Sequence, residues 1–269
     1  MNASQNDARI EAWARGDSYE LYMARWSRLV ARDFVRWLAR PPGLRWLDVG
    51  CGTGALVQAI LDEAAPAAVV GIDRSAEFVE YARAQIQDAR ATFRIADAQD
   101  LVTERGAYET VVSGLVLNFV ASPERVVAEM MRACRLNGRV ALYVWDYAGK
   151  MEFLRYFWDT AADLDPAARE LDQGARFPVA NARRLWELFL DAGLNDVQSR
   201  VFEVPTHFRN FEAYWTPFLG GEGSAPSYVA VLSEGKRAAL REALRARLPT
   251  ARDGSIKLTA RALAVRGTR

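Results

Sequence analysis

Leu47-Asp48-Val49-Gly50-Cys51-Gly52-Thr53-Gly54 is the stretch that decides the fold of this 269-residue chain. It reads as a short apolar strand running into a turn punctuated by three glycines. Glycine lets backbone approach a ligand with no Cβ in the way. The next apolar run, Ala68-Val69-Val70-Gly71-Ile72, ends on Asp73, 23 residues after Gly50. A carboxylate about 20 residues beyond such a turn is placed to accept hydrogen bonds from a ribose. Strand, glycine turn, helix, strand and acid together describe the first half of a nucleoside-binding α/β unit.

Outward from this stretch the periodicity alternates. Residues 18–39 carry Trp26, Val30, Phe34, Trp37 and Leu38 at helical spacing, and Pro41-Pro42-Gly43 ends that helix. Arg45 to Val49 and Ala68 to Ile72 are strands, with a helix over Thr53 to Glu63 between them. Ser75 is the expected N-cap of a helix burying Phe78, Val79, Ala82 and Ile86. Thr92 to Ala96, Tyr108 to Ser113 and Arg139 to Trp145 are three further strands. Ser122-Pro123 opens a helix that buries Val126, Val127, Met130 and Cys134 and is expected to stop near Asn137-Gly138. Such alternation calls for a mostly parallel sheet with helices on both faces. The second half breaks the rhythm. Residues 147–193 look mainly helical, Asp196 to Val204 strand-like and 210–247 helical and irregular. Ser255 to Val265 alternates with period two, placing Ile256, Leu258, Ala260, Ala262 and Ala264 on one face. Two late strands without a simple helix between them suggest an antiparallel edge hairpin carrying an insertion, and 147–185 with 207–250 is the natural cap.

The identity of the ligand turns on the carboxylates. Gly50, Gly52 and Ala55 also satisfy a dinucleotide pattern that tolerates alanine in third place. Asp48, however, is a poor neighbour for pyrophosphate and suits a turn facing an ammonium. Asp97, in Ala96-Asp97-Ala98 after the third strand, is placed to accept from an adenine amino group, although a solvated turn acid is its plainer reading. A nicotinamide oxidoreductase would share the glycine turn, but no Tyr-x-x-x-Lys pair with a partner serine accompanies it.

In these motifs the chain resembles the class I S-adenosylmethionine-dependent methyltransferases, in the subgroup of small-molecule and quinone-biosynthesis enzymes (methyltransferase type 11-like). The resemblance covers roughly Arg45 to Trp145 and rests on Asp48 to Gly54, Gly71-Ile72-Asp73-Arg74-Ser75, Ala96 to Leu101 and Ser113 to Phe119. Leu136-Asn137-Gly138-Arg139 stands where the family usually has Pro-Gly-Gly. The resemblance implies a Rossmann-like fold with seven strands and a helical cap, and S-adenosylmethionine as cofactor. It implies that Asp48, Gly50, Cys51, Gly52, Thr53 and Gly54 pack against the methionine and ribose. Asp73 would bind the ribose hydroxyls, Arg74 would cover the adenine, and Asp97 with the Ala98 amide would hold it. Ser113 would lie beside the methionine arm. Tyr22, Arg25 and Trp26 fall where related enzymes place a lid; Arg25 would pair with the donor carboxylate, whereas Trp26 begins the core stripe and reads better as core. One domain over 1–269 is expected, with lid helices in 1–40, the cofactor core in 41–146, the cap with one sheet strand in 147–250 and a last strand in 251–269.

The bulk composition narrows the partners. Lys plus Arg number 35 against 34 acids, a net charge of +1, so no global field draws nucleic acid or anionic lipid. No apolar run approaches the roughly 18 residues that span a bilayer, and Met1 to Gly16 lacks a signal-peptide core. The expected compartment is the cytoplasm. Cys51, Cys134 and a single histidine make no metal-ligand set. The expected acceptor is a small molecule, methylated at oxygen, nitrogen or carbon, with a non-catalytic cofactor-binding regulator as the other class; the oligomeric state is left open. His207 is the one weak candidate for a general base, against a surface or packing role. Trp145, Tyr147, Tyr156, Trp158, Tyr214 and Trp215 are candidate walls of an acceptor site, against ordinary cap packing.

Overall fold

The computed structural model describes residues 25–103, 105–220 and 223–269. Seven strands form one sheet in the order β3-β2-β1-β4-β5-β7-β6. They are β1 (Arg45–Val49), β2 (Ala68–Asp73), β3 (Ala91–Ile95), β4 (Tyr108–Gly114), β5 (Cys134–Trp145), β6 (Asn195–Phe208) and β7 (Ile256–Thr268). The pairings β1–β2, β1–β4, β2–β3 and β4–β5 are parallel. β7 runs antiparallel to β5. Asn137 N–H donates to the Arg269 carbonyl and Arg269 N–H to that of Gly138, while Asp146 pairs with Arg261 at the other end. This is the class I methyltransferase fold anticipated from the motifs. Chain contacts group the residues into two compact units, one of Ser27–Val144, Val179–Phe202 and Ala262–Arg269, the other including Trp145–Pro178 and Glu203–Arg261.

In the first unit, the part of α1 (Arg25–Leu38) from Ser27 onward buries Val30, Ala31, Phe34, Val35 and Leu38, and the Phe34 ring sits 4.8 Å from that of Tyr143 on β5. Of the helix anticipated over 18–39, residues 18–24 lie outside the described residues. Helices over Ala55–Glu63 and Ala76–Gln85 follow β1 and β2, the second capped as expected by Ser75, whose hydroxyl accepts from Phe78 N–H at 3.3 Å. The helix Pro123–Ala133 is likewise capped by Ser122.

The end of that helix differs from expectation. It stops at Ala133, and Cys134 already begins β5 rather than closing the helix. Asn137 does adopt the left-handed conformation, φ +60°, but inside an irregular strand rather than at a helix end. The antiparallel pairing with β7 captures the backbone there and overrides the local stop signal. Gly138 is required on packing grounds, since a Cβ would stand 2.5 Å from Cys134 Sγ. β7 is also more buried than a half-exposed strand, because Leu263 and Val265 are covered as well as Ala262 and Ala264. It lies inside the sheet, and β6 forms the edge.

The second unit is held by an aromatic core. Phe153 stacks on Phe208 and Phe218 and meets Trp26 and Tyr214 edge-on. Phe157 stacks on Phe218 in turn. The polar tips are satisfied: Tyr214 O–H donates to the Phe153 carbonyl at 2.9 Å, and Trp158 Nε1–H to Gln173 Oε1 at 2.6 Å. Trp158, Tyr214 and Trp215 are therefore core residues of this unit. No helix among the described residues is long and apolar enough to cross a membrane. Replacing the fully buried Phe153 by alanine removes the centre of this cluster; Phe153→Ala is expected to cost about 3–5 kcal/mol in urea unfolding. A cost below about 1 kcal/mol would show that the cluster is not cooperative.

Candidate cofactor site

The sheet order reverses between β1 and β4, each emerging from opposite directions of the winding, and ligands of open α/β sheets sit at that switch point. The glycine turn lies there. Gly50, Gly52 and Gly54 have φ of +76°, +50° and +92°, values that side-chain-bearing residues avoid. Each glycine has its own further reason. A Cβ on Gly50 would collide with Val116 Cγ2 at 2.3 Å, and one on Gly54 with Ile86 Cδ1 at 2.6 Å. On Gly52 it would meet nothing within 4 Å among the described residues. Gly50 and Gly54 thus close the turn against its supports, while Gly52 faces open space.

Two hydrogen-bonding groups of β2 hold the turn. The Ile72 carbonyl accepts from both Gly50 N–H and Cys51 N–H at 2.8 Å. The Asp73 carboxylate accepts from Gly52 N–H at 3.0 Å and from Ser75 N–H at 2.9 Å. Asp73 therefore has a structural duty that its position in the sequence did not reveal. Burial raises its pKa, and the backbone donors work against that rise.

Asp48 is the unusual group. Its side chain is buried, and neither carboxylate oxygen has a hydrogen-bond partner among the described residues. Burial, and then the charge of Asp73, push its pKa well above the ordinary carboxylate value. A buried, partnerless carboxylate is costly unless a donor arrives. Cys51 is enclosed beside it, and burial with the charges of Asp48 and Asp73 keeps it a thiol. Thr53 is buried in the same turn.

The remaining cofactor candidates are placed as follows. Arg74 is exposed after β2. Asp97 is exposed with Oδ1 accepting from Gln99 N–H at 2.8 Å, and Ala98 is half-buried beside it. This loop is anchored by residues the sequence did not single out. Gln99 Oε1 accepts from Ser122 N–H, Glu129 accepts from Leu101 N–H, and Arg132 donates to the carbonyls of Leu101 and Thr103. Ser113 spends its hydroxyl on the Val49 carbonyl at 2.7 Å, so it binds β4 to β1 and offers a ligand only backbone. Beyond it, Leu115 sits at φ +65° and Asn118 keeps a buried Oδ1 without a partner among the described residues. The only signal for Asn118 was its place after the fourth strand.

Elsewhere, Tyr22 lies outside the described residues. Arg25 is exposed, with its guanidinium 4.5 Å from the Trp26 ring centroid and 5.0 Å from that of Phe208. Trp26 is buried, in keeping with its core reading. His207 is exposed, whereas its neighbours Thr206 and Phe208 point inward. Trp145 and Tyr147 are buried, Tyr147 edge-on to Phe177 and Trp145 with an unpartnered Nε1 among the described residues. No group of three or more potential metal ligands occurs among the described residues.

Residues 47–142 match the family model described as a methyltransferase domain. Over 104 residues the chain is 36% identical to a phosphatidylethanolamine N-methyltransferase of Cereibacter sphaeroides, covering 37% of this chain and 50% of that one. The chain spans half or less of the length of the first curated relatives it matches. Among solved structures, the YcgJ protein of Bacillus subtilis aligns with a TM-score of 0.59 at 15% identity, over 91% of this chain and 98% of that one. A phosphoethanolamine N-methyltransferase 2 of Haemonchus contortus, solved with S-adenosylmethionine, aligns with a TM-score of 0.55 at 16% identity, over 90% and 52% of the two chains. Residues 47–142 are thus similar to a methyltransferase domain, the fold is that of the class I methyltransferases, and S-adenosylmethionine is the cofactor that this similarity indicates.

The buried carboxylate makes a pH signature. Because the folded-state pKa of Asp48 is raised, the folded protein holds a proton that the unfolded chain has released. The stability associated with this group is present below the ordinary value of 3.8 and is lost as pH rises from there through the folded pKa. Asp48→Asn is expected to become progressively more stable than the parent as pH rises from about 4 toward neutrality. Thermal unfolding across that range measures it, and a difference independent of pH would contradict the buried-charge account.

Proposed function

We propose that this protein transfers a methyl group from S-adenosylmethionine to a small-molecule acceptor at oxygen, nitrogen or carbon. The observation carrying this reading is the pairing of an open glycine turn at Gly52 with a buried, partnerless carboxylate at Asp48. A cationic ligand with ammonium donors suits that combination, whereas a pyrophosphate would meet two acids, Asp48 and Asp73. When bound, the cofactor supplies an electrophilic methyl group on its sulfonium.

The chain's own residues divide the binding work. Gly50 to Gly54 present backbone, and Asp48 offers its empty acceptor sites to the ammonium. Asp73 keeps its backbone donors and turns remaining lone pairs to the ribose. Arg74 covers the adenine, while Asp97 and the Ala98 amide read its edge. Displacement at a methyl group needs little more than alignment of the attacking atom at about 3–3.5 Å. The catalytic contribution assigned here is therefore positioning, and Asn118, in the turn after β4, is the polar side chain nearest in sequence to that task. The exposed position of His207 argues for a surface role. Ethanolamine-type substrates in the names of relatives keep nitrogen among the acceptor atoms.

Calorimetry provides the first test: S-adenosylmethionine and its demethylated product bind, and NAD does not compete at comparable concentration. Tight NAD binding without affinity for either sulfur nucleoside would overturn the reading. Methyl-labelled donor incubated with metabolite extracts then identifies the acceptor, and His207→Ala retains full turnover.

Asp73 has two expected losses. Asp73→Ala weakens donor binding by roughly 1.5–3 kcal/mol, the scale of a hydrogen bond to a charged group. It also lowers the melting temperature without ligand, because Gly52 and Ser75 lose their acceptor. Unchanged donor affinity in the folded variant would leave Asp73 with the structural duty alone.

A further inference from the structure

At the end of the sheet where β4 and β5 begin, remote from the glycine turn, a row of arginines lies on the face covered by α1. Arg139 on β5 pairs directly with Thr110 on β4, so the two side chains share that face. Arg40 donates from Nε to Thr110 Oγ1 at 3.2 Å. On β7, Arg266 donates from Nη1 to the Trp37 carbonyl at 2.6 Å, from Nη2 to Gln198 Oε1 at 2.8 Å, and lies over the Trp37 ring. All these groups belong to the first unit.

Charge in this row is uncompensated. Arg139 Nε and Nη1 are shut off from solvent and have no partner among the described residues. Burial first, and then Arg139, lower the pKa of Arg40; burial, Arg139 and Arg200 do the same to Arg266. Glu109, whose charge partly offsets this for Arg40, is already taken by Arg45 N–H at 2.7 Å and by Arg135 at 3.3 Å. The carboxyl-terminal end of α1 contributes about half a negative charge, and Arg266 already engages it. Among the described residues no carboxylate pairs with Arg40, Arg139, Arg200 or Arg266. Arg40, Arg139 and Arg266 are half-buried and Arg200 exposed, and partly desolvated charges of one sign cost free energy in the absence of a counter-ion.

We propose that Arg139, flanked by Arg40 and Arg266, forms a second binding site for a phosphate-type oxyanion, free or carried on a small molecule. Guanidinium groups are strong donors to such an anion, and with Arg266 spent on Trp37 and Gln198 the donors left for it are those of Arg139 and Arg40 not already engaged. The inner nitrogens of Arg139 are covered and Nη2 is the edge left open, which suits one compact anion. A nucleic-acid strand would need a continuous open groove.

Thermal unfolding in sodium phosphate, compared with sodium chloride at equal ionic strength, tests the site. At a phosphate concentration a hundredfold above Kd, the melting temperature is expected to rise by roughly 5–10 °C. Glycerol 3-phosphate, used as a second probe, shows whether a carried phosphate binds better than a free one. Arg139→Met abolishes the response while folding without phosphate, and Arg40→Met weakens it should the first variant fail to fold. Arg183→Gln, on an exposed helix and paired with Glu187, keeps the full response. Equal melting temperatures in phosphate and chloride, or an undiminished response in the arginine variants, would overturn the proposal.

Discussion

Two neighbouring groups at the end of β2 hold the functional half of this molecule. The Ile72 carbonyl takes two consecutive N–H groups of the glycine turn, and the Asp73 carboxylate takes a third together with Ser75 N–H. A turn with three positive-φ residues would otherwise sample many conformations. Tied to β2 at both its start and its middle, it is pre-organised before any ligand arrives, and preorganisation reduces the ordering cost of binding. The bond from Ser75 N–H also places the start of the following helix beside the turn. One strand end thereby sets the positions of the turn, the acid and the next helix.

Asp48 shows the cost of that arrangement. The same packing that buries β1 leaves its carboxylate without a donor and close enough to Asp73 to feel its charge. A sequence selected for stability alone would place an apolar or amide side chain there. A perturbed, partnerless carboxylate of this kind marks a candidate functional site, and the proposed ammonium of the donor would supply the missing hydrogen-bond donors. The arginine row beneath α1 is the complementary case, with cations left short of acids. Both places leave ionisable groups of the first unit without partners among the described residues, whereas the second unit satisfies the tips of Tyr214 and Trp158 internally.

The second unit follows different physics. Its aromatics stack on one another around Phe153 and Phe218 and leave little of themselves exposed. The sequence left one or two of the tryptophans and tyrosines as walls of a binding site and most as ordinary packing, since both residues serve both purposes. Burial separates the two uses: a ring stacked on both faces has none left for a ligand. Trp145, with its indole N–H still unpartnered among the described residues, is distinguished from that group.

The sequence by itself determined the parts that local rules govern. Positive-φ glycines, the alternation of strand and helix periods, and the Ser75 and Ser122 caps depend on a few neighbouring residues, and each stands where it was read. Only the tertiary structure decided what depends on partners distant in the chain. Asn137-Gly138 carries a helix-stop signal, yet pairing with Arg269, the residue after β7, draws it into a strand and moves the helix end to Ala133. The Ser113 hydroxyl turns to Val49 rather than a ligand, and His207 turns outward because Thr206 and Phe208 occupy the inner face of β6. Period and cap are properties of a segment, whereas burial, counter-charge and the partner of a hydroxyl belong to whatever the fold brings beside it.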